Sequence, residues 1–275
     1  MRISIVTVSF NQAAFVERTI QSVLAQGYDD LEYIIVDPGS TDGSREVIKR
    51  YSSNLATTIL EPDKGAADGL NKGFVLATGD IFGFLNSDDT LLPGALEKVA
   101  AHLKSHPNID VVSGNAHVID EHDRVLRKTF TDRFSLRDAA YRISSVIQPS
   151  TFFRREAFQG TRGFNPINRC CWDGELWVDM AEQGARFGCI NEFLSCYRLH
   201  GQSITGTGKL AGLYAEYSER VFRRVIGRPK RPGDELIRQA LRARRLLVNW
   251  RDAAERLMRG PIFGRCTVSE KLPVQ

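Results

Sequence analysis

Two adjacent carboxylates stand at the end of an apolar run: Ile81-Phe82-Gly83-Phe84-Leu85 leads into Asn86-Ser87-Asp88-Asp89. A short apolar run bounded by polar residues reads as a buried strand. The two like charges would then sit at its mouth, where repulsion and lost hydration are costly unless a cation offsets them. Hard oxygen donors suit Mg2+ or Mn2+, which hold phosphates while keeping coordination positions open. A diphosphate ligand follows from that chemistry. The chain has neither GxGxxG after its first apolar run nor GxxxxGK[ST], so phosphate must rest on metal and side chains instead of a glycine-rich cradle.

Three earlier apolar runs end in the same way. Ile3 to Val8 leads into Ser9-Phe10-Asn11-Gln12, Tyr33 to Val36 into Asp37-Pro38-Gly39-Ser40-Thr41-Asp42-Gly43, and Thr57 to Leu60 into Glu61-Pro62-Asp63-Lys64-Gly65. Each segment alone has an ordinary reading, Asp-Pro-Gly-Ser as a turn and Asn11 as a helix N-cap. Together they mark the carboxyl ends of four strands, where an open parallel sheet binds its ligands.

The elements that must position these loops are legible between them. Val16, Ile20, Val23 and Leu24 form the stripe of an amphipathic helix, and helical patterns recur around Ser44 to Tyr51, from Ala66 to Leu76 and from Pro93 to Lys104. This βαβα series predicts an α/β fold, a mostly parallel central sheet with helices on both faces. Beyond Asp110 the spacing predicts a longer strand over 111–118, a hairpin turn at Glu121 to Arg124, a strand from Val125, a helix from Trp172 to Gln183 and a strand from Cys189 to Leu199. That last strand ends in Tyr197-Arg198-Leu199-His200, which places Arg198 and His200 within reach of a diphosphate or its metal. Gly201 to Gly208 reads as an exposed loop with glycines enough for a lid. From Gly206 the pattern is helical, broken at 227–233, then helical from Asp234 to about Met258.

The 275 residues, 42% hydrophobic and 25% charged, suit one large α/β domain with an appendage and exclude disordered and collagen-like classes. No apolar run reaches the 18 residues of a membrane span, and the N-terminus runs straight into a strand, so a cytoplasmic protein is expected. Five cysteines without a CxxC pair argue against a disulfide framework or a zinc ribbon. Charge is segregated: residues 207–275 hold 16 Lys+Arg against 7 Asp+Glu, a net of +9, which leaves −5 of the overall +4 for the rest. A basic helical tail suggests an anionic surface such as a membrane, or merely a solvated helix face.

The stretch Thr7 to Asn11, the segment Val36 to Ser44, Asp63-Lys64-Gly65-Ala66-Ala67-Asp68-Gly69-Leu70-Asn71-Lys72-Gly73, Ala77-Thr78-Gly79-Asp80 and Leu85-Asn86-Ser87-Asp88-Asp89 together resemble family 2 glycosyltransferases of the GT-A fold. The match covers about residues 1–205. The resemblance implies a domain over 1–205, divided into a nucleotide-binding half (1–109) and an acceptor and catalytic half (110–205), followed by a basic helical extension over 206–275. It implies an inverting enzyme that moves a sugar from a nucleoside-diphosphate sugar to a carbohydrate or lipid-linked acceptor, in polysaccharide or glycolipid assembly, with Mn2+ or Mg2+ as cofactor. Asp37 matches the carboxylate that contacts the nucleotide base, and Thr7, Ser9 and Asn11 lie on the matching first loop. Lys64 and Asp68 fall near the nucleotide and diphosphate, Asp88 near the ribose, and Asp89 on the metal, with Arg198 at the diphosphate and His200 as a second metal ligand. Asp173 falls at the catalytic base. Pro38 stands where many relatives carry a second Asp, and Trp172 where a Glu commonly precedes the base, so Glu175 is the alternative. A second copy of the chain or a membrane surface are the further partners considered; nucleic acid is not. The competing readings are a nucleotidyltransferase and a non-catalytic nucleotide-sugar-binding subunit.

Overall fold

Ile3–Val8 (β1) is buried along nearly its whole length because it lies mid-sheet, with both faces covered. It pairs in parallel with Leu31–Val36 (β2) and Ile81–Asn86 (β4), in a register that sets Val8 beside Val36 and Asn86. Thr57–Ile59 (β3) extends the sheet beyond β2. All four strands therefore stop at one edge, and their following loops share it. The structure, a computed structural model, describes residues 1–201 and 211–260.

Helices Val16–Leu24 (α1), Ser44–Arg50 (α2) and Ala95–Ser105 (α4) cover one face, where Ile3 and Ile5 meet Val16, Ile20, Val47 and Leu96. Ala66–Leu76 (α3) and Trp172–Glu182 (α7) cover the other, where Val6 and Phe84 meet Leu70, Phe74 and Trp177. Alternation along β1 thus feeds two cores. Gly73 lets α3 lie directly on the sheet, since a Cβ there would come within 2.4 Å of the Val6 side chain.

The second half of the sheet is mixed. Thr151–Arg154 (β8), too short to stand out in the sequence, inserts antiparallel between β4 and Val111–Ile119 (β6). Val125–Thr129 (β7) forms the expected hairpin with β6, and Phe187–Arg198 (β9) runs parallel to β6. Thr90–Leu91 (β5) then pairs antiparallel with β9, Thr90 opposite Cys196. This pairing brings the Arg198 to His200 segment back to the loop that follows β4. Two short helices, Leu136–Ala140 (α5) and Arg155–Gln159 (α6), complete the body. Cys170, Cys171, Cys189 and Cys196 are free thiols, as expected; Cys266 and most of the glycine-rich segment read as a lid lie outside the described residues.

The tail corrects one expectation. In place of one helix from Asp234 to about Met258 there are two, Asp234–Val248 (α9) and Trp250–Arg259 (α10), preceded by Ala211–Ile226 (α8). Asn249 makes the break. Its side chain caps α10 by accepting from the Asp252 N–H and donates to Asp132 Oδ1 at 2.6 Å on the body.

Much of the tail's positive charge faces the body. Arg224 pairs with Asp179 and Glu182, Arg220 with Glu175, Arg244 with Asp138 and Arg245 with Asp132. Most deeply set is Asp252, 3% exposed, which meets Arg127, 1% exposed, at 3.0 Å and also Arg245 and Arg256. Phe222 and Leu241 add an apolar contact with Ala140, Tyr141 and Ile143. Among the described residues no helix is long and apolar enough to cross a membrane.

Removing one partner of a buried ion pair costs roughly 3 to 5 kcal/mol. Asp252→Ala should therefore loosen the tail, seen as selective trypsin cleavage between residues 211 and 260 while the body stays intact. A cleavage pattern like that of the parent would show that Asp252 does not hold the tail.

Candidate active site

A cleft of about 650 Å³ opens where the four parallel strands end. Its walls come from all four loops, with Ser9, Pro38, Lys64 and Asp88 among the lining residues, and from Arg169 and Trp172 on the far side. The convergence expected of the strand ends is thus present, and Ser9, Lys64, Asp88 and Arg198 border the space directly. Ser9 Oγ is buried and has no hydrogen-bond partner among the described residues, an unfilled polar position in a wall facing a ligand-sized space.

Asp88 and Asp89 point to different environments. Asp88 lines the cleft, and its Oδ2 lies 3.0 Å from His200 Nε2. His200 is buried and packs its ring 4.7 Å from that of Phe15. Asp89 has no exposed surface and is not in the cleft wall; its Oδ1 accepts from the Arg198 backbone N–H at 2.9 Å. Burial and the neighbouring Asp88 charge push the Asp89 carboxyl well above the usual carboxylate range. The loop itself is held from behind by Thr19, whose hydroxyl bonds the Ser87 and Asp89 carbonyls.

Other expected site residues act on their loops. Thr7 Oγ1 is within 3.0 Å of the Tyr33 hydroxyl inside the sheet. Asn11, in the left-handed region at φ 53°, accepts from the Thr41 N–H while its own N–H donates to Ser40 Oγ, so it staples the first loop to the second. Asp37 is fully buried and accepts from the Ser40 N–H and hydroxyl, the Gly39 N–H and Arg45 Nε. Burial alone would raise its pKa, but these bonds outweigh it and hold the carboxyl below the ordinary range. Asp68 accepts from the Lys64 N–H and shapes the turn that carries Lys64 to the cleft. Arg198 is a clamp: its guanidinium donates to the Asp88 and Asp120 carbonyls and pairs with Asp123.

The two candidate bases differ sharply. Both lie in the first turn of α7, which starts from Cys171 in the left-handed region at φ 55°. Glu175 accepts from Asn165 and Asn168 and pairs with Arg220, so both carboxylate oxygens are committed. Asp173 takes part in no ion pair among the described residues, and burial raises its pKa above the ordinary value, against weaker opposition from nearby backbone N–H groups.

A model of the family described as glycosyl transferase family 2 matches residues 4–162, more than half of the chain. The chain belongs to that family. An uncharacterized glycosyltransferase of Nostoc sp. is 30% identical over 216 residues, 73% of this chain and 66% of that protein. The Bacillus subtilis (strain 168) glycosyltransferase TuaG, whose name places it in teichuronic acid biosynthesis, is 28% identical over 206 residues, 74% of this chain and 81% of TuaG. The mannosyltransferase PcManGT from Pyrobaculum calidifontis, solved with GDP-Man and Mn2+, superimposes with a TM-score of 0.61 at 20% identity, over 99% of this chain and 76% of that one. The GT-A fold and membership of family 2 are therefore settled together.

Family 2 membership gives the cleft a frame for what sequence reasoning missed. Arg169 and Asp63 line it, and neither was given a role in the sequence. The Asp63 Oδ1 accepts from the Gly65 N–H, while burial lifts its pKa. The signal for Asp63 was its place at the end of the third run; Arg169 follows no strand and gave none. Among the described residues no group of three or more His, Cys, Asp and Glu is gathered as a ready metal cage. Asp88 and His200 still fit a divalent cation that takes its remaining ligands from a diphosphate, as Mg2+ and Mn2+ commonly do.

Asp37 gives a pH test. Because its folded pKa lies below its unfolded one, the stability it contributes is complete above the ordinary value of 3.8 and is lost as pH falls through the lowered value. Asp37→Asn should cost about 1 to 3 kcal/mol near neutral pH. In urea melts the gap to the parent should narrow as the pH is taken below 3.8; a gap constant with pH would remove the charged Asp37 from the account.

Proposed function

We propose that this family 2 glycosyltransferase is an inverting, metal-dependent enzyme that moves a hexose from a nucleoside-diphosphate sugar to an acceptor hydroxyl in polysaccharide or glycolipid assembly. The observation that carries the reading is Asp88, which faces a cleft that Lys64 and Arg169 also line and is backed from behind the wall by His200 at 3.0 Å. PcManGT, with GDP-Man and Mn2+ in its structure, and TuaG, with its name, support the donor class and the polymer setting.

In this reading Asp88 and His200 would hold the cation, so the metal role expected of Asp89 passes one residue back. Asp89 instead fixes the Arg198 backbone. The cation, when bound, offsets the charge that grows on the departing diphosphate. Lys64 and Arg169 offset the rest as point charge and fork, and Ser9 Oγ supplies a further hydrogen bond. Asp173 accepts the proton from the acceptor hydroxyl as its oxygen attacks the anomeric carbon; its raised pKa brings it nearer the range in which a carboxylate is an effective base at neutral pH. A single displacement by that oxygen inverts the anomeric centre, and no covalent enzyme intermediate is required. The Pro38 wall, the clamp of Arg198 and the Asn11 staple keep the loops in place. On the tail, Leu236, Leu247, Val248, Trp250, Leu257 and Met258 are exposed, which supports the expected contact with a membrane surface.

Three substitutions test the assignments. Asp173→Asn should lower transfer by at least ~10²-fold with nucleotide binding intact. Asp88→Ala should abolish Mn2+-stimulated binding of nucleoside diphosphate, measured by calorimetry against EDTA, while Asp89→Asn should leave that stimulation in place. The opposite result for the two aspartates would return the metal to Asp89, and near-normal transfer by Asp173→Asn would end the base assignment.

A further inference from the structure

A second pocket, of about 880 Å³, lies between the loop after α5 and the tail helices. Seven of its lining side chains are cationic and two are carboxylates. Most of these charges are accounted for locally. Asp234 takes Arg228, Glu235 takes Arg238, Arg245 and Arg256 share Asp252, and Lys230 faces Glu219. Arg142, Arg231 and Arg242 have no carboxylate partner among the described residues, although all three border one concavity. All three are exposed, and together they give this concavity an excess of positive charge that a multiply charged anion would meet.

Arg142 bears a further mark. It follows α5 in the left-handed region, at φ 59°, where the Ile143 N–H bonds back to the Asp138 carbonyl and the Arg142 N–H to that of Ala139. This is the helix-ending position that glycine normally fills, and a side chain there adds backbone strain. The guanidinium is held 4.1 Å over the Tyr214 ring, which presents it to the pocket. Tyr214 in turn lies 6.4 Å from Tyr217, centroid to centroid, and the Tyr217 hydroxyl occupies the space that a side chain at Gly174 would need, next to Asp173. Two rings therefore separate the cationic pocket from the proposed base.

We propose that this pocket binds a phosphate or diphosphate group carried by the acceptor, so that the acceptor is an anionic, phosphorylated molecule. Three uncompensated arginine forks match a multiply charged oxyanion better than a single carboxylate. The position two rings away from Asp173 assigns the group to the acceptor and rests on the reading of Asp173 as the base; the binding of phosphate does not.

The probe is inorganic pyrophosphate, titrated into full-length protein in EDTA by calorimetry. The Arg231→Ala/Arg242→Ala double variant should bind it ~10²-fold more weakly, the loss expected when two charge-assisted contacts are removed. Arg142→Gly, which suits the backbone, should also weaken binding while its melting temperature is maintained, a combination a purely structural arginine would not give. Lys64→Ala reports on the donor cleft and should change pyrophosphate affinity little. Phosphatidylcholine vesicles carrying farnesyl diphosphate separate the two sources: tighter binding than to pyrophosphate, again lost in the double variant, indicates a lipid-linked phosphate, and equal affinity a water-soluble one. Affinity unchanged in the double variant, or lost in Lys64→Ala instead, would overturn the proposal. Nucleoside diphosphate binding in the same variants is a separate readout, so a failed donor assignment and a failed acceptor pocket give different results.

Discussion

The site depends on a buried carboxyl that accepts from a backbone N–H more than a hundred residues away. Asp89 stands one residue from another acid and has no access to water, an arrangement tolerated only where hydrogen bonds and nearby positive charge compensate it. Arg198 supplies both, its N–H to Asp89 and its guanidinium to the Asp88 carbonyl, the Asp120 carbonyl and Asp123. That one residue thereby ties the end of β4, the β6–β7 turn and the end of β9 into a unit. His200 meets Asp88 because the strand that carries it is fastened two residues earlier.

The charge segregation between body and tail is resolved largely within the chain. Exposed pairs such as Arg244–Asp138 contribute little each. The docking rests on the enclosed Arg127–Asp252 pair and on the apolar contact of Phe222 and Leu241 with the α5 region. The consequence for the site is geometric. Through Arg220 and Tyr217 the tail touches α7 at Glu175 and Gly174, the two residues that follow Asp173, so the segment that looked like an appendage in the sequence borders the proposed base.

The parallel half of the sheet was legible because three of its four strands are buried on both faces and its loops carry the polar residues, and the four loops of the cleft followed from that. What the sequence could not show was direction. Asp88 and Asp89 are equivalent in composition, and only the turn after β4 decides which faces the cleft. The antiparallel insertion of β8 was hidden by its four residues, and Arg169 by its distance from any strand end. The break at Asn249 needed knowledge of the body surface its side chain grips. The Ala77-Thr78-Gly79-Asp80 segment, prominent in the resemblance, lies at the opposite end of the strands: Thr78 donates to Glu32, the Gly79 N–H to Ser4 Oγ, and Asp80 accepts from the Arg2 N–H. Its part is to fix where β4 begins.

The placement of β9 also orders the assembly of the molecule in time. The four parallel strands complete their mutual pairings within the first 86 residues, whereas the Arg198–Asp89 bond spans 109. Closing so long a loop has an entropic cost that the contacts of β9 repay only once the strand is in place. On a ribosome, the parallel half of the sheet can condense while the chain is still being made, but the Asp88–His200 pair has to wait for β9 to emerge. Such a protein builds its parallel strands early and closes the Asp88–His200 contact last.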